Sequence, residues 1–320
     1  MQPTTRRCHQ DFCCISSYWI YQHIGNLSPR ELAESELYQR MRGNQKGEEE
    51  LFAWAHRIQA MGDGTRWSFY RDFGRTRAIF IDARAARVLE EGRRSIVDDE
   101  EWEWIIEHTE GDFDHLLICT TIPWLLSPAF DRLEAWNEQL VEGNAWGRLP
   151  AWVSEKLRRE VDFDHWPAFG ESFRRLRDLL HEVASGERGK APASVVVLSG
   201  DVHHAYLAEV AYPRSQNGSG RAPVYQAVCS PYRNPLDEKE RRVVRWGFSR
   251  PLTAVAKLLA KAAGTPDPGI RWRTLEGPHF DNQVASLHID RRAATLRLDK
   301  TVPGENGKKA LEKSFSRRLA

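Results

Sequence analysis

A layered α/β fold is predicted by short apolar runs set among amphipathic helices. Ala78-Ile79-Phe80-Ile81, Leu116-Leu117-Ile118-Cys119 and Val195-Val196-Val197-Leu198 are continuous and apolar. Strands covered by helices on both faces have this pattern, because neither face meets water. Long helical segments separate the three runs, which is the alternation of a parallel sheet. With 320 residues, the chain can build such a core without disulfides.

The elements follow in order. Ser28-Pro29-Arg30-Glu31 supplies an N-cap, a proline at the first helical position and an acidic residue at the third, so a helix is predicted from there to about Met41, ended by Gly43 and Asn44. Leu51, Trp54, Ala55 and Ile58 recur at helical spacing. Trp102, Ile105, Ile106 and Thr109 do the same after Asp98-Asp99-Glu100-Glu101, whose charge suits a helix N-terminus. Phe169, Phe173, Leu176, Leu179, Leu180 and Val183 form the longest stripe, and another helix is predicted over Thr253 to Ala263. Val284 to Ile289 and Ala293 to Leu298 flank Asp290-Arg291-Arg292 and read as a hairpin. Pro213 to Pro223 reads as a flexible turn. Residues 302–320 read as a basic tail, frayed and solvated over Lys308 to Arg318. Residues 1–16 lack periodicity and read as a leader unrelated to the rest.

Composition excludes several classes. Lys plus Arg number 46 and Asp plus Glu 45, a net charge of +1, so no dedicated nucleic-acid partner is expected. The longest uncharged run, Leu116 to Phe130, holds two prolines and is too short to span a bilayer, so no membrane partner is expected either. Arg6, Arg7 and Asp11 stand where a secretory leader would be apolar. Five cysteines, three of them in the first 14 residues, do not make a disulfide framework. A reducing, cytoplasmic location fits these features.

Chemistry concentrates at Ser199-Gly200-Asp201-Val202-His203-His204. A buried strand ends in glycine, and one carboxylate and two imidazoles follow. Side chains at the carboxyl end of a central strand leave the sheet for the crevice above it. If the segment is extended, Asp201 and His203 share a face and can reach one metal cluster. His204 would point elsewhere, as a proton donor or phosphate contact. The competing reading is a turn in which Asp201 and His203 cap the next element. Arg84 could clamp a phosphate through two parallel hydrogen bonds or form a structural ion pair. Asp82 reads as a turn residue. His279, Asp281 and Asn282 could line the same crevice. Cys8, His9, Cys13 and Cys14 match no standard zinc spacing. Gly-x-Ser-x-Gly, Walker and Gly-x-Gly-x-x-Gly patterns do not occur.

Ser199-Gly200-Asp201-Val202-His203 resembles the closing metal motif of the PhoD-like phosphatases (alkaline phosphatase D family), within the calcineurin-like metallophosphoesterases. That superfamily has Gly-His-x-His there, with Asp for the first His in PhoD-like members. Other segments agree in order: Phe80-Ile81-Asp82-Ala83-Arg84-Ala85-Ala86-Arg87, the helix from Glu100 to Ile106, Cys119-Thr120-Thr121-Ile122-Pro123-Trp124 and Gln226-Ala227-Val228-Cys229-Ser230-Pro231. Tyr18-Trp19-Ile20-Tyr21-Gln22-His23 and Glu134-Ala135-Trp136-Asn137 resemble a bacterial branch, and the similarity spans residues 17–301.

The resemblance implies a metallophosphoesterase-like α/β/β/α sandwich with the N-terminal part of the fold missing. It implies metal-dependent hydrolysis of a phosphate ester, with iron, calcium, manganese or zinc held by Asp201 and His203. Arg84 would bind substrate and His204 would be catalytic. The family's first-strand Asp or Cys, its Gly-Asp-x-x-Tyr-x-Asp motif and its Asp-Asp-His-Asp motif are absent. Some relatives place a metal-binding His where Thr120 and Thr121 stand. A binuclear site needs about six to eight protein ligands. The chain is therefore expected to be the C-terminal portion of such a phosphatase. The alternative is a truncated non-catalytic remnant, or half of a split phosphatase that associates through exposed apolar surface.

Overall fold

The computed structural model describes residues 15–43, 46–61, 66–90, 92–141, 164–213, 221–304 and 308–320. The chain divides into two compact units, Met1–Phe69 and Tyr70–Ala320. Residues 1–14, which hold most of the predicted leader and its Cys/His cluster, lie outside the described residues, as do residues 214–220 of the predicted turn.

The first unit is helical. A π-helical turn over Trp19–His23 runs into α1 (Pro29–Glu34), α2 (Glu36–Gly43) and α3 (Gly47–Met61) after a short turn at Ile24–Asn26. Ser28 and Glu31 form a reciprocal capping box at the start of α1. The single helix predicted to Met41 is two helices. Ser35 takes an extended conformation, and its hydroxyl accepts the Tyr38 N–H, so a local cap restarts the chain. Trp19, Leu37 and Leu51 form the core, with Trp54 and Trp67 packed against them.

The second unit carries the mixed α/β architecture. Its seven-stranded sheet has the order β1-β2-β3-β4-β6-β5-β7. The strands are β1 (Phe69–Phe73), β2 (Thr76–Ile81), β3 (His115–Thr120), β4 (Ser194–Ser199), β5 (Ala205–Ala211), β6 (Val224–Val228) and β7 (Arg271–His279). β2, β3, β4 and β6 are parallel, while β5 runs antiparallel to β6 and β7. A separate antiparallel sheet joins β8 (Gln283–Asp290), β9 (Ala293–Pro303) and β10 (Lys309–Arg318) in the order β10-β9-β8.

Strand alternation separates two cores. Ile79, Ile81, Leu116, Ile118, Val195 and Val197 face a helical layer. That layer includes Trp102 and Ile105 of α4 (Asp99–His108) and Phe173, Leu176 and Leu180 of α6 (Gly170–Ser185). Ala78, Leu117, Val196 and Leu207 face the other way and meet Ala294 and Leu296 of the small sheet and Leu319 beyond its last strand. The layers run helix, sheet, sheet. Two more helices, α7 (Glu238–Gly247) and α8 (Arg250–Ala262), follow β6, and α8 packs on α5 (Pro128–Val141).

The C-terminal expectation is corrected. The tail expected to fray is largely β10, paired antiparallel with β9 from Lys309↔Pro303 to Arg318↔Thr295. Its charged residues do not prevent this, because strand pairing is made by the backbone, and Leu319 just beyond it is buried. The predicted β8–β9 hairpin is present, turning at Arg291 in the left-handed region (φ 53°).

Candidate phosphate site at the strand tips

Three parallel strands end beside one another. After β2, Asp82 Oδ1 accepts the backbone N–H groups of Arg84 and Ala85, each at 2.9 Å. This is the turn role its position suggests. The turn presents Arg84 to solvent and holds Arg87 largely buried over the Phe169 ring. The Arg84 guanidinium donates to Asp201 Oδ2 at 2.7 Å. Arg87 donates to Ala83 O at 2.6 Å, to Asp164 Oδ2 at 2.7 Å and to Asp164 O at 3.1 Å.

After β3, the two threonines serve the scaffold. Thr120 Oγ1 accepts the Trp166 indole N–H at 3.3 Å, and Thr121 O accepts the Gly200 N–H at 3.3 Å. Gln226 of β6 holds the neighbouring loop from below. Its Oε1 accepts from Trp124 N at 3.0 Å and Leu125 N at 3.4 Å. Its Nε2 donates to Val197 O at 3.2 Å and Ser199 Oγ at 2.9 Å.

After β4, the chain is not extended. Asp201 and His203 both sit in the left-handed region, at φ 72° and 54°. Non-glycine residues there carry strain on the order of 1 kcal/mol or more each. The loop therefore aims its side chains by a contorted backbone, not by strand alternation. Asp201 turns to Arg84. His203 Nδ1–H donates to Asn234 O at 2.9 Å. His204 points inward, buried, with Nδ1 at 2.6 Å from Val202 O and its ring against Tyr206, Phe248 and Phe280. Burial pushes its pKa down to about 4, so its ring is neutral at pH 7.

A further histidine, which the sequence reading missed, stands close by. His165 lies just before a 3-10 turn (Trp166–Ala168), and its Nδ1 is 2.8 Å from Glu134 Oε1 on α5. Burial lowers its basicity, but the Glu134 carboxylate and the charges of Asp164 and Asp201 outweigh this, and the net shift is upward. Nothing in the local spacing signals the pair, because 31 residues separate the partners. A separate pocket, lined by Asp131, Arg132, Glu138, Arg174, Thr265 and Asp267, includes none of these loop residues. His279 stacks on Phe315, and Gln283 donates to its carbonyl. No bond among the described residues joins it to Asp201 or His203.

The His203 arrangement suits a ligand, since a metal-binding imidazole commonly donates its other N–H to a carbonyl. Asp201 is less suited, because Arg84 already occupies one oxygen. Among the described residues, no group of three or more His, Cys, Asp or Glu side chains is placed to hold a metal ion. Asp201 and His203 alone do not fit a resident binuclear centre.

No family model and no curated protein matches the chain. A solved structure of PhoD matches it. The identity is 12%, the TM-score is 0.43, and the match covers 84% of this chain and 48% of that one. The chain thus spans about half the length of the structure it matches. Among the described residues, no helix is long and apolar enough to cross a membrane.

Proposed function

We propose that the loops after β2 and β4 form the phosphate-ester site of a phosphoesterase half. Arg84 binds the phosphoryl oxygens, and Asp201 and His203 are this chain's share of the metal ligands. The observation that carries the reading is the Arg84–Asp201 bond of 2.7 Å at the carboxyl ends of parallel strands. It sets the Arg84 guanidinium, a group whose geometry suits phosphate, against the loop whose sequence resembles a phosphatase metal motif. In this reading Asp201 holds the guanidinium ready until an anionic ligand competes for it. His203, with its N–H committed to Asn234 O, keeps a fixed tautomer.

Iron, calcium, manganese or zinc would supply a Lewis acid and an activated water. The two donors here leave the rest of the coordination to another segment or partner chain. The specific observation favouring the second reading, a non-catalytic remnant, is that Arg84 occupies the carboxylate a metal would need. One experiment separates the two. Purified chain is incubated with each metal and p-nitrophenyl phosphate, alongside Asp201→Ala and His203→Ala. Turnover lost in both variants supports the enzyme. Phosphate binding that Arg84→Ala weakens, without turnover under any metal, leaves the remnant.

A further inference from the structure

We propose that His165, oriented by Glu134, is the residue that gives a proton to the leaving group of a phosphate ester held at Arg84. The inference rests on the phosphate-ester reading above and assigns a role that no motif in the sequence marks.

The loop after β2 is fastened at two points. At one point it is tied to the β4 loop through Arg84 and Asp201. Three residues later it is tied to the residue before His165, through Arg87 and Asp164. One short segment therefore fastens the phosphate clamp and the imidazole to the same corner of the unit. Asp201 is near enough to act electrostatically on His165, and His165 to act on His204.

The imidazole is built to hold and release a proton. Glu134 is 2% exposed and fixed on α5, and its Oε1 accepts the His165 Nδ1–H, which sets the ring's orientation; burial pushes the Glu134 carboxyl up, and that bond opposes the shift. Nε2 has no hydrogen-bond partner among the described residues. The His165 side chain retains 17% exposure, so a ligand can reach it while most of it is shielded from water. The charged groups acting on it are Glu134 from α5, Asp164 from its own segment and Asp201 from the β4 loop. All three favour the imidazolium. His204, the residue expected from sequence, is sealed among aromatic rings and neutral, which leaves it badly placed for the same work.

The step balances. The Nε2 proton passes to the ester oxygen as the bond from that oxygen to phosphorus breaks. A water oxygen forms the new bond to phosphorus, and the proton that water loses restores the imidazolium. The products are an alcohol and inorganic phosphate.

The test compares two leaving groups under the metal that supports turnover. p-Nitrophenolate leaves without protonation, whereas phenolate benefits from it. His165→Asn is expected to lower kcat on phenyl phosphate about 100-fold, and on p-nitrophenyl phosphate by less than about 10-fold. Inorganic phosphate binding stays within about 2-fold of wild type. Glu134→Gln, which keeps the hydrogen bond but not the charge, moves the alkaline limb of the wild-type kcat profile to lower pH. Equal losses on both esters, or an alkaline limb that neither variant shifts, overturn the proposal while leaving the hydrolytic reading intact. Absence of wild-type turnover on both esters overturns the hydrolytic reading, and the proposal with it.

Discussion

The Arg84 guanidinium meets the Asp201 carboxylate at 2.7 Å across 117 residues of sequence, and both side chains are about half exposed. An ion pair in that much water contributes at most about 1 kcal/mol to folding. Its strained partner loop, with Asp201 and His203 both at positive φ, points to a purpose other than stability. Arg84→Ala should change the unfolding free energy by less than about 1 kcal/mol in urea titrations. The same variant should weaken inorganic phosphate binding, measured calorimetrically, by about 10-fold or more. A large loss of stability with unchanged phosphate binding would make the pair structural.

Gln226 is fully buried, yet both ends of its amide are bonded, to two backbone N–H groups, a carbonyl and a hydroxyl. It ties the loop after β3 to β4 beneath the site. Gln226→Leu keeps the bulk and removes every bond. Buried donors and acceptors left unmatched cost about 1–3 kcal/mol each. The variant should lose roughly 2–4 kcal/mol in chemical denaturation. An unchanged midpoint would mean that water replaces the amide without cost.

Much of this fold was legible because of how its central strands are buried. β2, β3 and β4 have helices on one face and a sheet on the other, so both faces demand apolar residues and the runs are continuous. β7 and β10 escaped notice for the opposite reason. Their sequences, Arg271–His279 and Lys309–Arg318, are rich in charge because each strand has residues that face water. The same limit governs the site. Asp201 and His203 announce themselves as a strand-tip motif, whereas their separate partners, Arg84 and Asn234, follow from backbone angles that no spacing rule supplies. Glu134 and His165 meet only because α5 and the 3-10 turn pack together.

Asp131, on α5, gives a pH-dependent prediction. It is fully buried, one of its oxygens has no partner among the described residues, and burial pushes its pKa from 3.8 up to about 8. The folded state keeps this proton well above the pH at which the unfolded chain releases it. The stability linked to the group is therefore complete below about pH 4 and is lost as pH rises through about 8. Asp131→Asn removes the titration. The variant should gain at least about 1 kcal/mol relative to wild type between pH 5 and pH 8, read from paired urea unfolding curves. Parallel stability curves for the two proteins would show that Asp131 is ionised in the fold.

Removing residues 304–320 tests whether the C-terminal strand belongs to the core. β10 pairs along its length with β9, and Leu319 and Phe315 pack with Ala294 and Leu296 against the large sheet. A buried leucine alone contributes about 1.5–3 kcal/mol. Its loss would also bare the apolar side of β9 and leave that strand as an unprotected edge. The truncated chain should unfold at lower urea concentration by at least about 2 kcal/mol. It should also bind a hydrophobic dye and self-associate. A truncated chain as stable and monodisperse as the whole would return the segment to the role of a solvated tail.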